Sequence, residues 1–118
     1  MSALPTSTFP RSRRPRKLVS YTPTTTAVPI YTCPVNVYCQ VTLIVATNIS
    51  TSATQISVHH VRPTETVGTQ NALYYEVNLT KATVMQDDGV KYLSPGDAIW
   101  VSCTTAANAT ITLYGIEE

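Results

Sequence analysis

VYCQVTLIVAT, residues 37–47, alternates between two sets of side chains with a period of two. Val37, Cys39, Val41, Leu43 and Val45 form a uniformly apolar set, and Tyr38, Gln40, Thr42, Ile44 and Ala46 form a mixed one. Successive side chains of an extended chain point to opposite faces, so the first set is expected to line a core. The second set then lies on a partly covered outer face. The stretch reads as one long strand.

The same rhythm continues on both sides of it. Upstream, strands are expected near 18–22 and 27–33. Downstream, NISTSAT (48–54) is a polar turn, and TQISVHHV (54–61) sets Ile56, Val58 and His60 against Ser57, His59 and Val61. RPTETVGTQN (62–71) is the longest break in the pattern. ALYYEVNL (72–79) and KATVMQ (81–86) resume it, followed by a tight turn at Asp88-Gly89, where Gly89 is expected to supply positive φ. YLSPGDAIWVSC (92–103) places a Pro95-Gly96 turn before another strand, and NATITLYGI (108–116) is a last one. Seven to nine short strands with regular turn signals predict a single antiparallel β-sandwich over 18–118, with Greek-key or jelly-roll connections.

Composition agrees. Thr, Val and Tyr are frequent and suit a pleated, half-buried surface. The charged fraction is 13%, about half the usual value, which hints at a surface covered by other subunits. No stretch approaches the roughly 20 apolar residues of a membrane-spanning helix. LVSYTPTTTAV, which follows the basic cluster, has no continuous apolar core, so no secretion signal is read there. A cytoplasmic setting with reduced thiols is therefore expected, and Cys33, Cys39 and Cys103 read as small buried hydrophobes. A Cys33–Cys39 bridge across a tight turn is the alternative.

The leader is a different kind of sequence. FPRSRRPRKL (9–18) holds five of the chain's eight basic residues between Arg11 and Lys17. From Tyr21 onward there are three basic and seven acidic residues. Pro5, Pro10 and Pro15 push their preceding residues toward extended geometry, so 1–17 reads as an extended arm. Seventeen extended residues span roughly 50 Å, enough to cross a neighbouring subunit. Leu4 and Phe9 can fill apolar pockets, and Arg11, Arg13, Arg14, Arg16 and Lys17 can pair with carboxylates of an acidic partner. A nucleic-acid tail is disfavoured, because no aromatic interleaving or base-reading module accompanies the cations.

Catalytic chemistry finds little support. No nucleophile elbow, phosphate-cradling glycine loop or paired-carboxylate motif occurs. His59 and His60 point to opposite faces of a strand and do not converge on one ion. Asp87, Asp88 and Asp97 lack the alternating ligands of a calcium loop and read as turn residues. No catalytic residue, metal or cofactor is expected. The sequons at Asn48, Asn78 and Asn108 read as chance matches in a Thr-rich chain.

IYTCP (30–34), VTLIVATNIS (41–50), YLSPGDAIWV (92–101) and AANATITLYGIEE (106–118) follow one another in an order that resembles small structural proteins of tailed bacteriophages. In that group, β-sandwich or jelly-roll subunits serve as capsid cement (decoration) proteins and also occupy neck and tail-tip positions. The resemblance covers roughly residues 27–118. It matches Pro34, Asn48, Pro95, Gly96, Asp97 and Gly115 as turn-forming positions, to which the residue pattern adds Gly89. It implies a virion structural protein assembled in the host cytoplasm, a homo-oligomer with a trimer favoured. The implied partner is the major capsid protein or another virion subunit. A neck or tail adaptor ring is the runner-up. A host-glycan-binding module, using Trp100, Tyr74, Tyr75 or Tyr114, is a third reading.

Overall fold

The computed structural model describes residues 15–105 and 108–117. Nine strands run in chain order: β1 (Arg16–Tyr21), β2 (Val28–Thr32), β3 (Cys39–Asn48), β4 (Thr54–Val61), β5 (Ala72–Leu79), β6 (Val84–Asp87), β7 (Lys91–Leu93), β8 (Ala98–Cys103) and β9 (Ala109–Glu117). One sheet has the order β1-β9-β3-β6, with β7 also pairing with β3; the other has the order β2-β8-β4-β5. Every pairing is antiparallel. With β6 and β7 taken as one interrupted strand, the pairs β1·β9, β2·β8, β3·β6/β7 and β4·β5 are those of a long hairpin rolled across two sheets. That is the jelly-roll arrangement of an all-β sandwich. Among the described residues no helix is long and apolar enough to cross a membrane.

The long strand read from 37–47 is present, but its inward face changes partway along. Val41 pairs with Gly115 and Leu43 with Tyr114, so the register shifts at Thr42. An extra residue on one strand moves every later side chain to the other face. Cys39 and Val41 point inward as expected. Beyond the bulge, Ile44 and Ala46 are fully buried instead of Leu43 and Val45, which are only half-buried. Val37 packs on the core from outside the strand.

Gly115 permits this arrangement. It was expected in a turn but lies inside β9, and a Cβ there would stand 2.1 Å from the Gln40 carbonyl oxygen. Glycine within a strand often marks such a close backbone approach.

The other expected turn residues divide by mechanism. Pro34 accepts the Val37 N–H at 3.3 Å, and Asn36 takes a left-handed φ of 65° within the β2–β3 turn. In the β7–β8 turn, Gly96 has φ 90°, and the Asp97 N–H donates to the Ser94 carbonyl at 3.0 Å. Gly89 is not left-handed; its N–H instead donates to Asp87 Oδ1 at 2.9 Å.

Asn48 ends β3 with its side chain buried. Its amide donates to the carbonyls of Ser52 (2.8 Å) and Leu79 (2.9 Å), and its Oδ1 accepts the Ser50 N–H at 2.8 Å. That full set of bonds leaves no amide hydrogen free for a glycan.

Between the sheets, Val41, Ile44, Ile56, Val58, Ile99, Val101, Ile111 and Leu113 form a continuous apolar layer. The outer side of the β4–β8 pair is also covered: Ser57, His59 and Val61 are buried. The 62–71 loop folds back there, bringing the Gly68 carbonyl within 2.9 Å of His59 Nδ1. Opposite Ser57, β5 bulges at Glu76, whose φ is 51° and whose N–H donates to the Ser57 hydroxyl at 2.9 Å.

Candidate interaction surface

The outer face of the β1-β9-β3-β6 sheet has a different character, and cross-strand pairing defines it row by row. Thr110 pairs with Thr47, which pairs with Val84. Ser20 pairs with Thr112, Thr112 with Val45, and Val45 with Gln86. Lys17 pairs with Tyr114, and Tyr114 with Leu43. Ile116 pairs with Gln40, and Gln40 with Tyr92. These rows contain aliphatic, aromatic, hydroxyl and amide side chains, one lysine and no carboxylate. Tyr92 is 70% exposed, and Tyr38, just outside β3 on the same side, is 67% exposed. Val35, in the turn beside Tyr38, is 78% exposed. Large apolar side chains this open, clustered at one end of a face, mark an interaction surface more often than isolated ones do.

The cationic leader arrives at this same sheet. Arg16 and Lys17, expected in the arm, belong to the body as the first residues of β1, opposite Gly115 and Tyr114. Arg16 pairs with Glu117 of its own chain at 2.5 Å. This exposed contact is of the kind worth at most about 1 kcal/mol. Leu4, Phe9, Arg11, Arg13 and Arg14 lie outside the described residues.

Below the Arg16–Glu117 pair is a cluster that sequence reading did not assemble. Glu117 accepts a short hydrogen bond from the Tyr31 hydroxyl. That hydroxyl is 3.3 Å from Cys39 Sγ, which lies 2.8 Å from Cys33 Sγ. Burial pushes the Cys33 thiol up to about 12, reinforced by its contact with Cys39. Burial also raises the Tyr31 hydroxyl, as do its bonds to Cys39 and Glu117. Both groups are held protonated. All three cysteines are buried, as expected of small hydrophobes. The cysteine spacing was the one sequence signal for the cluster; Tyr31 and Glu117 join it only through the fold.

The remaining candidates fall into separate networks. His60 Nε2 is 2.9 Å from Asp97 Oδ2, which also accepts the Ser94 N–H at 3.1 Å. His59 is engaged by the 62–71 loop, so the two imidazoles diverge as expected. Asp87 is paired with Lys91; burial works to raise its carboxyl, but Lys91 and the Gly89 N–H hold it below the ordinary range. Lys91 also stands 5.8 Å from the Tyr74 ring centre, linking the two sheets at one edge. Among the described residues no group of three His, Cys, Asp or Glu side chains could hold a metal ion. No protein-family model matches this chain, and no curated protein or solved structure matches it.

Proposed function

We propose that this chain is a virion structural subunit, a capsid cement protein. Its sandwich would dock through the bare sheet face while its basic leader reaches onto neighbouring capsid subunits. The observation that carries the reading is the shared location of two features. The exposed, carboxylate-free face with Tyr38 and Tyr92 belongs to the sheet whose edge strand, β1, continues from the leader. A partner can then be held by apolar contact at the face and by arginine–carboxylate pairs along the leader. The jelly-roll order adds support, since capsid subunits are among the proteins that use it. Lectins and cupins use it too, so fold alone would not choose.

Particle occupancy tests this reading. Removing residues 1–14, or changing Tyr38 and Tyr92 together to Ser, should each lower retention on purified particles at least tenfold and leave the body folded. Retention unchanged by both would overturn the proposal. Copy number near parity with the major shell protein fits cement, whereas about six or twelve copies per particle assigns the chain to a neck or tail ring.

A further inference from the structure

Cys33 and Cys39 bracket the β2–β3 turn, and their sulfurs sit 2.8 Å apart. A disulfide bond is about 2.05 Å long, so a shift of less than about 1 Å brings these sulfurs to bonding distance. The backbone holds the two sulfurs together. The left-handed Asn36 and the Val37-to-Pro34 hydrogen bond fold the turn back on itself. The Cys33 N–H is fixed to the Asp97 carbonyl at 2.8 Å, and Cys39 is paired with Leu93 of β7. Both cysteines are 1% exposed, whereas Val35 and Tyr38 between them are open to solvent.

We infer that Cys33 and Cys39 are an intrachain disulfide site, closed by a low-molecular-weight disulfide such as oxidised glutathione. One cysteine thiolate attacks a sulfur of the oxidant, forming a mixed disulfide and releasing one thiolate. The second cysteine then attacks the protein sulfur of that mixed disulfide, and the second thiolate leaves. The two cysteine protons end on the two released thiols. The cysteines give up two electrons and the oxidant takes them, so the exchange balances.

Thiol–disulfide exchange runs through the thiolate, and burial holds Cys33 protonated. Closure is therefore slow in the rested fold and proceeds through opening of the short 33–39 turn. A reducing cytoplasm keeps the pair open, and an oxidising medium outside the cell closes it. Closure restricts Val35 and Tyr38 without moving the sheets they border.

The test uses the full chain, incubated either with dithiothreitol or with a mixture of reduced and oxidised glutathione, then denatured and alkylated. Tryptic cleavage, which spares the Arg62–Pro63 bond, yields one peptide, 18–81, that contains both cysteines and excludes Cys103. After oxidation that peptide should take up no alkyl group and be two hydrogens lighter, and chymotryptic cleavage at Tyr38 should leave its halves joined. The oxidised chain should also melt about 5–10 °C higher than the reduced one, as expected for a bridge closing a short loop. A peptide alkylated twice after oxidation, or carrying glutathione without closing, would overturn the inference. The chemistry is read on the isolated chain, so its failure and loss of particle retention are separate outcomes.

Discussion

Gly115 decides more than any other residue. A methyl group there would meet backbone, the Gln40 carbonyl at 2.1 Å, and the Leu18 side chain at 2.9 Å. Backbone in the middle of a sheet yields little, so Gly115→Ala should destabilise the protein by about 3 kcal/mol or more in chemical denaturation. A loss below about 1 kcal/mol would mean that the strands can separate locally. Tyr31 and Cys33 bear on the pH dependence on the alkaline side. Both bind their protons more tightly in the folded state than in the unfolded chain. The Cys33 contribution is complete below the ordinary thiol value of 9.0 and is lost as pH climbs toward about 12, and that of Tyr31 begins to fall only above its ordinary value of 10.0. Each such group steepens the decline by up to about 1.4 kcal/mol per pH unit. The denaturant midpoint should therefore fall above pH 9, and Cys33→Ser and Tyr31→Phe should each flatten that fall. Parallel curves for wild type and variants would remove these two groups as its cause.

At the scale of elements, β3 shows what sequence reveals and what it conceals. Its existence, length and pleat are written in the alternation of 37–47, because burial of one face requires period two. The slip at Thr42 is not, because a bulge is a property of a pair of strands. Its one local trace is a glycine, Gly115, some seventy positions later in β9, and sequence reading took that glycine for a turn. The consequence is measurable. Ile44→Ala should destabilise by about 3 kcal/mol, and Val45→Ala by about 1 kcal/mol, since Ile44 is enclosed and Val45 is not. An uninterrupted alternation would reverse that order. The thiol–tyrosine–carboxylate cluster was hidden for the same reason. Cys33 and Cys39 are close in sequence, but Glu117 reaches Tyr31 only after β9 is seated. The turns at Pro34, Asn48 and Pro95-Gly96 were legible because their chemistry is local, as was the 62–71 break, though not its role in covering His59.

For the whole molecule, the two sheets are finished differently. One outer face is closed by the chain's own 62–71 loop, and the other presents tyrosines and threonines. The first described strand, β1, starts at Arg16, so removal of residues 1–14 leaves every described strand intact. Full-length and 15–118 chains should unfold cooperatively with midpoints within about 3 °C of each other, while removal through residue 17 also takes Arg16 and Lys17 out of β1. A large drop for the shorter cut would show that the leader packs on its own body. The all-β class and the antiparallel sandwich could be read from composition and periodicity. The choice of outward face could not, because it depends on where a loop lands.

The placement of β9 has a bearing on synthesis. It is the last described strand, yet it fills the slot between β1 and β3 rather than an edge. A polypeptide still emerging from the ribosome therefore has β1 and β3 in hand with nothing to join them, and its apolar layer lacks Ala109, Ile111 and Leu113. Closure must await β9 and then form contacts between strands far apart in the chain, a slow class of event. Nascent chains stalled before Ala109 would present unmet strand edges, which makes them natural clients for holding chaperones and proteases.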